Sequence, residues 1–127
     1  MSSRNRVFHP EEWLKEAVEI VRAAGSLLRS GPEGALSVRY KGDVDLVTEM
    51  DQRSEMLGVE RLTAAFPGTG ILAEEGSGHS MNAPGLWILD PLDGTTNYAH
   101  GLPVYAVSLA FEMDGILQLG IVYDPSR

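Results

Sequence analysis

An α+β fold is predicted from three observations. Two stretches with helical spacing come first in the chain, at about 10–30 and 48–66. Short apolar runs follow and are mostly consecutive, which favours α+β over a doubly wound sheet. The last two runs are joined by Asp114-Gly115, a dipeptide suited to a tight hairpin. The 127 residues suffice for one domain with a real core, and 43% hydrophobic with 22% charged residues is an ordinary globular balance.

Residues 1–7 read as a loose arm. Pro10-Glu11-Glu12 opens the first helix, with proline in the first turn and acids at the positive end of the dipole. Trp13, Leu14, Ala17, Val18, Val21, Ala24, Leu27 and Leu28 give it an apolar stripe, and Gly31-Pro32 is expected to end it. Leu36 to Tyr40 alternates as a short strand does, and Lys41-Gly42-Asp43 reads as a loop.

The second helix is expected to run from about Thr48 to Phe66, burying Met50, Leu57, Leu62 and Ala65, with Gly58 weakening it locally. Pro67-Gly68 closes it. Strands follow at Ile71–Ala73, Leu86–Leu89, Val104–Met113 and Ile116–Tyr123, with a short helix from Thr95 or Thr96 to His100. The polar loop Gly76 to Gly85 reads either as a mobile lid or as an inert connector.

The chemistry concentrates at strand ends. Leu86-Trp87-Ile88-Leu89 runs directly into Asp90-Pro91-Leu92-Asp93-Gly94-Thr95-Thr96-Asn97. Carboxylates collect hard cations, and glycine with hydroxyls at a helix start receives phosphate. Asp-Pro and Asp-Gly are also ordinary turn dipeptides, so this run alone leaves a capped turn open. Two more acidic positions shift the balance. Ile71-Leu72-Ala73 ends in Glu74-Glu75-Gly76, and Asp43-Val44-Asp45-Leu46-Val47-Thr48 leads to Asp51. Three segments thus set carboxylates beside apolar elements, and converging carboxylates repel unless a cation sits among them.

Asp51, Glu74-Glu75 and Asp90-Pro91-Leu92-Asp93-Gly94-Thr95 together resemble the inositol monophosphatase family of magnesium-dependent, lithium-sensitive phosphatases. Val44 to Gln52, Thr95 to Tyr98 and Pro103 to Ser108 extend the resemblance, which runs from about His9 to the end of the chain. It implies two long helices packed on a mainly antiparallel sheet, the N-terminal half of an αβαβα layered sugar-phosphatase fold. The family's chain is about twice as long, and its second half carries a Trp-Asp motif with a downstream Gly-Gly. Residues 1–127 are therefore expected to form a single N-terminal domain, without the aspartate that completes the family's metal site.

The resemblance also implies roles. Glu74 and Asp90, with the Leu92 carbonyl, would hold one magnesium. Asp90 and Asp93 would share a second with the aspartate of the other half, and Asp51 would bind a further ion or orient water. Glu74 would take the attacking water's proton, helped by Thr95 and Asp51. Gly94, Thr95 and Thr96 would cradle phosphate, and Asp93 would bond a substrate hydroxyl. Glu75 would stand behind the ligands or face solvent. Read from the residues alone, Thr48-x-x-Asp51 fits a capping box and Thr95 a plain helix cap.

The implied function is hydrolysis of inositol monophosphate or a similar small phosphate ester by metal-activated water. The alternatives are a catalytically incomplete metal-binding fragment that needs its second half, or a related phosphatase for fructose bisphosphate, adenosine 3′,5′-bisphosphate, histidinol phosphate or NADP. The family often forms homodimers. A net charge of −8 with no basic patch argues against nucleic acid, and bound magnesium would reverse the local sign for a phosphate. The absence of cysteine excludes disulfides and thiolate nucleophiles. Residues 1–12 lack a signal peptide's apolar core and no run has membrane-spanning length, so no membrane partner and a cytoplasmic location are expected. His9, His79 and His100 lack zinc-like spacing and read as surface or structural residues.

Overall fold

A computed structural model describes residues 6–35, 43–74, 76–94 and 105–125, with the backbone alone at 31–35 and 43–48. Helices α1 (Pro10–Ala35) and α2 (Asp43–Ala65) come first. Strands β1 (Gly70–Ala73), β2 (Gly85–Asp93), β3 (Ala106–Met113) and β4 (Ile116–Tyr123) follow and pair in that order. The fold is α+β, as expected. Two of the three pairings are antiparallel, while β1 and β2 run parallel, so the sheet is mixed.

The hairpin turn lies where the sequence put it. Asp114 and Gly115 both take positive φ, 52° and 81°, which matches the twist of the flanking strands. Other boundaries differ. Helix α1 continues past Gly31-Pro32 to Ala35. Proline removes one backbone donor, but its fixed φ is itself helical. Helix α2 begins at Asp43, not Thr48, so Lys41-Gly42-Asp43 is not a loop throughout. Thr48 and Asp51 therefore sit inside the helix, and a capping box there is overturned. Asp43 and Asp45 are residue types that suit the positive end of a helix. The expected strand at Leu36–Tyr40 and the short helix from Thr95 to His100 lie outside the described residues.

The helices cover one face of the sheet. Alternation along β2 and β3 sends Trp87, Leu89, Val107, Leu109 and Phe111 toward them. Trp13, Ala17, Ile20, Val21, Ala24 and Leu28 answer from α1. Leu14, placed in the stripe by spacing, is 39% exposed, and Ile20 takes part instead. From α2, residues Met50, Ser54, Gly58, Leu62 and Phe66 form a column of four-residue steps, all buried. Leu57 and Ala65 are only partly buried.

The densest packing is aromatic. Trp13 lies 4.5 Å from Phe66, Trp87 lies 4.5 Å from Phe111, and Phe66 and Trp87 are 4.8 Å apart between ring centroids. Arg6 closes this cluster. Its guanidinium stands 5.3 Å from the Trp13 ring and 5.0 Å from the Phe66 ring. It donates to Glu12 and Glu16, one helical turn apart, and to the Ala65 carbonyl at 2.7 Å. The arm is thus anchored by Arg6 rather than loose up to Val7.

Candidate metal and phosphate site

Site geometry begins with the register of the parallel pair. Ala73, the last residue of β1, stands beside Leu89 of β2, so Glu74 follows β1 at the level of Asp90, three residues before β2 ends. Parallel neighbours lie about 4.8 Å apart. Leu72 is 44% exposed while Ile71 and Ala73 are buried, and Glu74, in the turn that follows β1, is exposed. Asp90 shares the parity of Leu86 and Ile88, on the face turned away from the helices.

Pro91 changes what comes next. Asp90 pairs with Ser108 and Asp93 with Ala106, so β2 spends three steps where β3 spends two. That is a β-bulge, and a proline without an N–H donor belongs at such a break in the ladder. In a regular strand, residues 90 and 93 would face opposite sides. The extra residue restores the phase, because Ser108 and Ala106 share one face. Asp90 and Asp93 are thereby brought to the same side, while Pro91 and Leu92 are both buried. The Leu92 N–H donates to Asp90 Oδ1 at 3.3 Å, which turns that carboxylate along its own backbone. Asp93 is exposed, and Gly94 takes φ 91° to leave the strand.

Helix α2 approaches from the other layer. A Cβ on Gly58 would meet Leu89 Cδ2 at 2.8 Å, so helix and strand touch there. One turn earlier, fully buried Ser54 donates its hydroxyl to the Pro91 carbonyl at 3.2 Å. Helix and strand therefore run in opposite senses. Asp51, three residues before Ser54, lies about 4.5 Å further along the axis, toward the Leu92–Asp93 end. It is half-buried, with Oδ1 out of solvent.

Glu55 is also fully buried, and its Oε2 accepts the Ser77 N–H at 3.0 Å. Neither Ser54 nor Glu55 is singled out by the motif. The available signal was two polar residues on an otherwise apolar helix stripe.

The segment after Glu74 is pinned, which favours a fixed connector over an open lid. Ile71 and His79 exchange both backbone hydrogen bonds, at 2.8 and 2.9 Å, so the loop folds onto the free edge of β1. Close approach makes Gly70 obligatory, since a Cβ there would stand 1.9 Å from the Ser80 carbonyl oxygen. The His79 ring bonds Thr63 Oγ1 at 3.1 Å, a structural role for that histidine. Tyr105, next to the Asp93 partner Ala106, is buried, and burial pushes its phenol above the ordinary range.

The donors are all oxygen, the chemistry a hard divalent cation takes, and the bulge aligns two of them on one face; on that ground these residues fit such a cation. Among the described residues, no three His, Asp or Glu side chains gather into a closed metal site. Glu75, Thr95 and Thr96 lie outside the described residues. No helix of the described residues is long and apolar enough to cross a membrane.

Comparison with known proteins bears on the whole arrangement. The model of the inositol monophosphatase family matches residues 9–127. Inositol monophosphatase 1 of Solanum lycopersicum is 40% identical over 91% of this chain and 44% of its own length. Nus factor SuhB of Pseudomonas aeruginosa is 41% identical over 90% of this chain and 44% of its own. The solved inositol monophosphatase of Anabaena (Nostoc) superposes with a TM-score of 0.76 at 36% identity, covering 91% of this chain and 40% of that one. The chain spans less than half the length of these relatives.

Proposed function

This chain belongs to the inositol monophosphatase family, and on that premise we propose that it carries the acidic part of a magnesium-dependent phosphomonoesterase. The substrate proposed is inositol monophosphate or a similar small phosphate ester. The single observation that supports the reading best is the bulge at Pro91-Leu92, whose register aligns Asp90 with Asp93 beside the Glu74 strand end.

Glu74 and Asp90, with the Leu92 carbonyl, are the proposed holders of one magnesium. Asp90 and Asp93 would hold another with an aspartate from outside this chain's span, and Asp51 a further ion or a water. Bound magnesium would supply Lewis-acid activation and neutralise the charge that phosphate meets among carboxylates.

The chain's own groups do the rest. Glu74 accepts the proton of the attacking water, which Thr95 and Asp51 hold in place. Water adds to phosphorus in line as the ester P–O bond breaks, giving inorganic phosphate and the alcohol. The amides of Gly94, Thr95 and Thr96 orient the phosphate, and Asp93 accepts a hydrogen bond from a substrate hydroxyl. Lithium sensitivity, a homodimer and a cytoplasmic location belong to the same proposal.

A second reading has its own support. The chain spans 44% of the length of its tomato relative, and among the described residues the helices lie on one face of its sheet. On that reading it is a metal-binding part, inactive until joined to the remainder of such a fold. One experiment separates the two. Phosphate release from inositol 1-phosphate is followed with magnesium, with and without lithium, for this chain alone and for this chain joined to the second half of a relative. Release by the chain alone supports a competent site; release only by the joined form supports the second reading. An Asp90→Asn version of the active form that still releases phosphate would sink both.

A further inference from the structure

We propose that Ser54 and Glu55 form a clamp that sets the position of Glu74 relative to Asp90, and so act as positioning residues for the site; this rests on the functional reading above. Two acid-bearing segments meet at the ends of β1 and β2, and each is tied to α2 by one of two consecutive residues. Ser54 holds the Pro91 carbonyl, between Asp90 and Asp93, at 3.2 Å. Glu55 holds the Ser77 N–H, three residues beyond Glu74, at 3.0 Å.

Both side chains are fully buried. A buried carboxylate is costly, and an apolar residue of similar volume would fill the same space more cheaply. Its oxygen, however, meets a backbone donor on the loop that follows Glu74. Packing alone does not call for that bond; fixing the loop does. Gly76, between Glu74 and Ser77, takes φ 90° and has nothing within 4 Å of a built Cβ. The Gly76 N–H donates to the Ala73 carbonyl at 3.1 Å, closing a turn around Glu74, and the Glu55 bond at Ser77 ties the far side of that turn to α2. Because Ser54 and Glu55 are neighbours on a rigid helix turn, the two tethers refer both acids to one frame.

The test uses the chain with Glu55→Gln, Glu55→Leu and Ser54→Ala, each checked for native tryptophan fluorescence. Two quantities are read by nuclear magnetic resonance: exchange of the Ser77 amide, and magnesium affinity from shift changes on titration with magnesium chloride. Glu55→Leu is expected to speed Ser77 exchange by about 10- to 100-fold, the loss of a hydrogen bond to a charged group. Magnesium affinity is expected to fall by about 10- to 100-fold. Glu55→Gln, which keeps an acceptor oxygen and the shape, should fall between this variant and the parent. Ser54→Ala should weaken magnesium binding without changing Ser77 exchange.

Unchanged Ser77 exchange in both Glu55 variants would overturn the clamp. So would unchanged magnesium affinity in variants whose loop has loosened. If the parent chain takes up no magnesium, the functional reading of this chain fails by itself, and the amide exchange still decides whether Glu55 holds the loop.

Discussion

The two faces of β2 show how one strand serves two ends. Toward the helices it presents Trp87 and Leu89, at 0% and 3% exposure, with Trp87 inside a cluster of aromatic rings that also holds Phe8, Trp13, Phe66 and Phe111. Away from them it presents Leu86 and Ile88, half-buried, and then Asp90. The first face is packed tightly enough to leave the Trp13 and Trp87 indole N–H groups buried without hydrogen-bond partners among the described residues. The second carries the acids proposed to hold a cation, Asp90 and, past the bulge, Asp93. The same alternation that builds the core delivers the first acid to the opposite side, and the bulge at Pro91 adds the second. Stability and chemistry are thus separated by the strand's period of two, not by distance along the chain.

The largest expected effect tests the packed face. Trp87→Ala should cost about 3–5 kcal/mol in denaturant unfolding, because the ring leaves a cavity among Trp13, Phe66 and Phe111. A cost near zero would mean that the cluster is not where the fold's stability resides.

A smaller effect is expected at the cluster's lid. Arg6→Ala should cost about 1 kcal/mol, since its ion pairs are partly solvated and screened while the ring contacts are lost. The same pair sets an acid dependence. The hydrogen bond from Arg6 holds the Glu16 carboxyl below its ordinary value of 4.5, against the opposing effect of burial. A lowered folded value stabilises above the unfolded value, so this contribution is present above pH 4.5 and fades as pH falls through the lowered one. Glu16→Gln should therefore flatten the acid limb of the unfolding midpoint, and an unchanged limb would remove the pair from the account.

The smallest effect tests the open face. Val122, 74% exposed on β4, points to the same side as Ser108, its partner across the ladder. Val122→Thr should change stability by no more than about 0.5 kcal/mol. A loss as large as that of a core residue would show that this face is covered in solution.

Much of this comparison was legible in the residues. Spacing found the stripe of α1 through Trp13, Ala17 and Val21, and alternation found Ile116–Tyr123 with its Asp114-Gly115 turn. These signals are local, so local rules suffice. The start of α2 at Asp43 is not legible because Val44 and Val47, as β-branched residues, weaken the helix signal there. The parallel pairing of β1 with β2 depends on the path of residues 74–84, which no periodicity encodes. In the site, Asp90 and Asp93 stood out as a motif, but their common face did not, since it requires counting β3 against β2. Glu55 was passed over because a lone Glu on a helix is ordinarily solvated, and only its burial against Ser77 gives it meaning.

At the outer end of β2 the proposed function requires a site that takes up a cation. The most direct measurement is the thermal unfolding midpoint of the parent chain and of Asp90→Asn, each with and without magnesium chloride. Magnesium should raise the midpoint of the parent, by preferential binding to the folded state. Asp90→Asn should respond little to magnesium and should match the parent without it, because the half-buried Asp90 side chain lies outside the packed core. An equal magnesium response in both proteins, or an Asp90→Asn chain destabilised like a core variant, would contradict this reading of the site.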